Sequence, residues 1–177
     1  MKKYVKPLFA GLTLALSAAT FAADSAPAPT PAAVPAAPAG AQPYQPPKPQ
    51  DLIKWRQSAY QVLGWNSARI KGSLEGGTYN KDDVVKAANT IVAVANSGLG
   101  TLFVPGTEQG KGWHDTAVKP ELFSKGDRVG ELAGNFNREA NELARVAAGG
   151  DPALVKTQFG KLAQSCKACH DDFKNRQ

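Results

Sequence analysis

The sequence is poor in the residues that cross-linking and metal ligation depend on: two cysteines, two histidines and one methionine in 177 residues. Two cysteines exclude a disulfide framework. A bridge between Cys166 and Cys169 would close a tiny loop near the end of a long chain and staple almost nothing. A structural zinc site needs four ligands, and beyond Cys166, Cys169 and His170 only His114 remains. Alternating strand patterns are missing too, so the α/β setting of a thioredoxin-like redox pair is absent. No basic cluster interleaved with aromatics is present, which leaves nucleic-acid binding without support. The N-terminal apolar run, Leu8 to Ala19, is about a dozen residues long, where a transmembrane helix needs about 20.

That short run has another use. Lys2, Lys3 and Lys6 precede it, and Thr20-Phe21-Ala22 follows with small residues at the two positions a signal peptidase inspects. Residues 1–22 therefore read as a secretory signal, cleaved after Ala22, with export to the periplasm and no stable membrane insertion. No Cys follows the run, so a lipoprotein anchor is not expected. The three n-region lysines also account for half of the formal net charge of +6. Most of the apparent basicity belongs to targeting.

Residues 23–49 contain nine prolines among Ala, Gln, Ser and Thr, with almost no charge and no apolar period. Such a composition cannot bury enough surface to fold and biases the chain toward extended polyproline II. It reads as a disordered linker. From residue 50 to 177 the composition is that of a folded domain.

Four helical stretches are predicted there. The first spans about Asp51 to Lys71, with Leu52, Trp55, Ala59, Val62 or Leu63, and Asn66 near helical spacing. The second opens at Asn80 as N-cap, with Asp82 and Asp83 in its first turn. Val84, Ala87, Ala88, Ile91, Val94 and Ala95 make its apolar face. Pro105-Gly106, Gly110 and Gly112 mark a long loop, and Pro120 to Phe123 a short turn. The third helix covers Ser124 to Ala148, striped by Val129, Leu132, Ala133, Phe136, Ala140, Leu143, Ala144 and Ala147, and ends at Gly149-Gly150. Asp151-Pro152 supplies an N-cap and a first-turn proline for the fourth. Val155, Phe159, Leu162, Ala163, Cys166, Cys169 and Phe173 lie on one side of that last helix. Amphipathic helices joined mostly by short loops predict an all-α, antiparallel four-helix bundle.

Cys166-Lys167-Ala168-Cys169-His170 has the spacing of a c-type haem attachment motif. On a helix, positions i and i+3 put both sulfurs on one face, each able to form a thioether to a haem vinyl. His170, at i+4 from Cys166, projects from the same face as a candidate iron ligand. Covalent haem c near the C-terminus of the last helix is the expected cofactor. A Met, His or Lys on the other iron face would saturate the metal and favour electron transfer. Met1 leaves with the signal, and His114, in a Gly-rich polar loop, reads as a solvated loop residue. The second iron face is expected to be open or weakly occupied.

Three stretches carry a resemblance to a known family: Trp55-Arg56-Gln57-Ser58, Phe103-Val104-Pro105-Gly106-Thr107-Glu108, and Ser165-Cys166-Lys167-Ala168-Cys169-His170-Asp171. Residues 50–177 resemble the cytochrome c′ family. The resemblance implies a five-coordinate, high-spin iron that binds NO and sometimes CO, and a homodimer packed through the first helix. It also places Arg56 and Gln57 near a haem propionate and Phe103 in the distal pocket. Low-spin relatives carry Met four residues after this Arg. Tyr60 stands there instead, which sides the chain with the high-spin branch and sets the phenol over the distal face. Four residues after the His, where the family often has Arg beside the proximal ligand, this chain has Lys174, which cannot stack a planar guanidinium on the imidazole.

The expected function is reversible binding of a small diatomic, most readily NO. The rival is a periplasmic electron carrier working with an unidentified redox partner. No catalytic acid, base or nucleophile stands out.

Overall fold

The computed structural model describes residues 45–176, so the leader expected over 1–22, and all of the Pro-rich stretch before Gln45, lie outside the described residues. Four α-helices carry the fold: α1 (Pro49–Glu75), α2 (Lys81–Ala95), α3 (Gly126–Gly149) and α4 (Pro152–Phe173). One-turn 3-10 helices at Leu99–Leu102 and Pro120–Phe123 interrupt the long connection between α2 and α3. Among the described residues there are no strands, only two isolated bridges, Lys111 with Asp115 and Val118 with Lys174.

Local chemistry explains the helix ends. Pro49 opens α1, where its missing N–H leaves nothing unsatisfied. Asn80 caps α2, its side chain accepting from the Asp83 N–H at 3.1 Å. Asp82 and Asp83 then face the positive end of the helix dipole. Gly150 adopts φ +82° and ends α3 in the left-handed conformation that glycine takes without a steric cost. Asp151 Oδ1 accepts from the N–H groups of Ala153 and Leu154 at 2.8 and 3.3 Å, and Pro152 follows at the first position of α4.

The helices pack in chain order, α1 on α2, α2 on α3 and α3 on α4, as an antiparallel four-helix bundle does. At the end where α1 finishes and α4 starts, Ile70, Val84, Ala87, Ala88, Ile91, Leu143, Ala147 and Val155 form a closed core. At the other end the apolar cluster is thinner. Only Leu122, Leu132 and Phe173 are buried, and Phe103, Val118, Phe123, Val129, Ala168 and Cys169 pack around them partly exposed.

Two expectations need correction. Helix α1 runs from Pro49 to Glu75, beyond the predicted Asp51 to Lys71 at both ends. Its buried face keeps Leu52, Leu63 and Asn66 as expected but differs elsewhere: Trp55 and Val62 are exposed, while Ile53, Ile70, Arg56 and Gln57 are buried. Besides α2, this helix covers the loop that follows it, and the loop demands polar partners from α1. On α3, Ala133 is likewise exposed.

Candidate functional site

The last turns of α4 hold Cys166, Cys169 and His170. Both cysteines are free thiols, half-buried, and Cys169 belongs to the thin apolar cluster. Burial raises both thiols above their ordinary pKa; for Cys169, Asp172 and then Cys166 add to the effect. His170 is exposed as a residue. Desolvation of its ring, ahead of the Lys174 charge, still holds the imidazole below its usual pKa, with Asp171 opposing. The favoured species is the neutral imidazole, which is the form that binds a metal. Lys167 pairs with Asp171 at 2.5 Å on the exposed outer side of this turn.

Opposite α4, one turn of α1 presents Arg56, Gln57 and Tyr60. Arg56 is only 2% exposed. Its Nη1 donates to Thr107 Oγ1 at 2.6 Å and to the Leu102 carbonyl at 3.5 Å. Its Nη2 donates to the Thr107 carbonyl at 2.5 Å and to Thr116 Oγ1 at 2.6 Å. None of these acceptors is a carboxylate. A buried cation is costly unless paired or well hydrogen-bonded, and here hydroxyls and carbonyls meet that need. Burial accordingly lowers the Arg56 pKa, with Tyr60 and Glu108 opposing.

The guanidinium lies 5.0 Å over the Phe103 ring, and Phe103 meets Tyr60 edge-on with centroids 6.5 Å apart. Tyr60 is 41% exposed. Desolvation still pushes its phenol pKa far up, with Cys169 and then Cys166 adding and Arg56 opposing. The structure thus gathers Arg56, Phe103, Tyr60 and the two thiols around the thin end of the bundle.

Gln57 and Lys174 serve other contacts. Gln57 clamps the loop at Trp113-His114: its Oε1 accepts from the Trp113 N–H at 2.7 Å and its Nε2 donates to the His114 carbonyl at 2.9 Å. A Cβ at Gly112 would collide with Gln57 Oε1 and come within 2.9 Å of the Lys54 backbone N. Glycine is required by that close approach. His114 itself is exposed, its Nδ1 at 2.9 Å from the Asp115 carbonyl oxygen. Lys174 caps α4 and bridges to Val118: the Lys119 N–H donates to the Phe173 carbonyl at 2.9 Å and the Asn175 N–H to the Ala117 carbonyl at 2.7 Å. Thr116, which holds Arg56, begins that same segment. Sequence reasoning gave no role to Thr107 or Thr116. The only local signal was the Pro105-Gly106 turn, in which Gly106 has φ +94° and the Thr107 N–H closes onto the Val104 carbonyl at 3.0 Å.

The family model described as Cytochrome C' matches residues 51–174. The chain belongs to the cytochrome c′ family. It is 64% identical to a cytochrome c′ of Rhodocyclus tenuis over 132 residues, covering 75% of this chain and 99% of that one. Among solved structures, it is similar to a cytochrome c′ with an unusual ligand-controlled dimer dissociation. That match has a TM-score of 0.72 at 44% identity and covers 75% of this chain and all of the other. It is also similar to a ferrous cytochrome c′ variant from Alcaligenes xylosoxidans with bound NO, with a TM-score of 0.66 at 26% identity and coverage of 75% and 100%.

The cofactor of a cytochrome c′ is covalent haem c, and the side chains present here fit it. Two thiols one helical turn apart border an apolar cluster too sparse to close by itself. The buried Arg56 guanidinium, which hydrogen-bonds no carboxylate, suits an anionic substituent such as a propionate. Among the described residues no group of three or more His, Cys, Asp and Glu side chains is gathered for a bare metal ion. Nor is any helix there long and apolar enough to cross a membrane.

Proposed function

We propose that this cytochrome c′ binds small diatomic gases, most readily NO, reversibly at an open iron face. In this reading Cys166 and Cys169 form the thioethers and His170 is the protein's only iron ligand. Haem supplies a ferrous iron able to bind NO or CO. The observation that carries the proposal is the make-up of the opposite wall. Arg56, Tyr60 and Phe103 gather there, and the described residues contain no Met. Tyr60 is a weak candidate ligand, because desolvation holds it as the neutral phenol and ligation requires the phenolate. The NO complex of the Alcaligenes xylosoxidans relative supports the choice of gas. Resonance Raman of the ferrous holoprotein near neutral pH tests it. Five-coordinate high-spin markers are expected, whereas six-coordinate low-spin markers would make the protein an electron carrier.

Export and self-association belong to the same reading. N-terminal sequencing of protein from the periplasm is expected to begin at Ala23, leaving a Pro-rich linker before a haem domain over residues 50–177. Helix α1 exposes Trp55, Val62 and Trp65 at 51%, 38% and 63%, an apolar surface suited to a homodimer through the first helix. Sedimentation with and without CO measures the dimer. The related structure with ligand-controlled dimer dissociation makes weaker association under CO the expected result.

A further inference from the structure

We infer that Thr107 and Thr116 are positioning residues that set ligand access, because their hydroxyls brace the Arg56 guanidinium over the Phe103 ring. The inference rests on the proposed open iron face and adds the two residues that keep its aromatic wall in place.

Phe103 follows the one-turn helix Leu99–Leu102, and its N–H is held only by the Gly100 carbonyl at 3.1 Å. The cluster around it is thin, so packing alone fixes the ring weakly. The guanidinium carbon of Arg56 sits 5.0 Å from the Phe103 ring centroid. The orientation of the guanidinium plane depends on three oxygen atoms at 2.5–2.6 Å: Thr107 Oγ1, the Thr107 carbonyl and Thr116 Oγ1.

Thr107 is suited to this. It is 1% exposed, and its hydroxyl both accepts from Arg56 and donates to the Val104 carbonyl at 2.7 Å. Its one proton is committed to the Val104 carbonyl while a lone pair faces the guanidinium, which sets the hydroxyl's orientation. Thr116 holds the second nitrogen from the far side of the loop, with its own N–H donating to the Gly110 carbonyl at 3.0 Å. The two hydroxyls grip adjacent nitrogens of one planar group and so fix its plane as well as its position. Releasing either one lets the guanidinium rotate off the ring, and Phe103 then moves away from Tyr60.

The test compares Thr107→Val, which keeps the shape and removes the hydroxyl, with Thr107→Ser, which keeps the hydroxyl. Two measurements on holoprotein separate positioning from plain stabilisation: hydrogen exchange at the Phe103 amide, and the CO association rate. Thr107→Val is expected to speed exchange about tenfold and CO association about fivefold, as loss of a buried hydrogen bond to a charged group would allow. Thr107→Ser is expected to restore both. Thr116→Val, at a less buried position, should shift both in the same direction and gives the answer if Thr107→Val does not fold. A Phe103 amide as protected as in the parent overturns the brace. So does faster exchange with an unchanged or slower CO rate, which would leave the hydroxyls a purely structural role. If the parent protein binds no CO, the open-face reading fails, and the exchange measurement alone decides whether the brace exists.

Discussion

The two ends of the bundle are built on different terms. Where α1 ends and α4 begins, aliphatic side chains from all four helices meet and are fully buried. Where α4 ends, three buried side chains are ringed by aromatic, aliphatic and thiol groups that stay partly exposed. Helix caps and apolar periodicity are enough to complete the first end. The second gathers aromatic and thiol groups beside a buried Arg56 guanidinium that is held by hydroxyls and carbonyls.

The largest expected effect comes from denying the second end its cofactor. Cys166→Ala with Cys169→Ala should abolish haem attachment, read as haem that extracts into acid-acetone. Hydrogen exchange on that variant should then divide the molecule: amides of α2 and the second half of α3 stay protected, and those from Phe103 to Phe123 exchange freely. Uniform loss of protection would show that the closed end does not stand alone.

Leu143→Ala reverses the experiment. Leu143 is 0% exposed in the closed core, so the substitution should cost about 2–5 kcal/mol in denaturant unfolding, with the visible spectrum unchanged. A shifted spectrum would mean that the ends are coupled more tightly than their separate clusters imply.

Tyr60→Ala acts on the wall alone. Removing its bulk should raise the CO association rate about tenfold, equivalent to about 1.4 kcal/mol of barrier, as stopped-flow mixing would show. Equal rates would mean that Tyr60 already swings clear of the iron. The smallest effect belongs to a cap: Asp151→Ala frees two N–H groups at the closed end and should cost about 1 kcal/mol in thermal unfolding, again with an unchanged spectrum.

Features governed by neighbouring residues were readable from the sequence. Asn80, Gly150 and Asp151-Pro152 mark helix ends because each acts on backbone within a few residues. The cysteine motif was readable for the same reason. Helix α1 was less so: a period of 3.6 assigns apolar residues to the inside, and Arg56, Gln57 and Asn66 are buried while Trp55 is not. The partners of Arg56 and Gln57 lie far along the chain, whereas Asn66 bonds locally to Val62 and Arg69. Arg56 reaches Thr107 across 51 residues and Thr116 across 60, and no local pattern announces such a pairing. The wall of the site rests on those contacts, so its residues could be suspected individually but not connected.

The bridge between Val118 and Lys174 also bears on how variants are interpreted. The strand-like segment after α4 is tied at Ala117 and Lys119 to the stretch that begins at Thr116. A substitution at Lys174 that shifts its backbone therefore reaches Arg56 through two peptide hydrogen bonds and one hydroxyl. Lys174 and Arg56 are thus not independent variables in a mutational series.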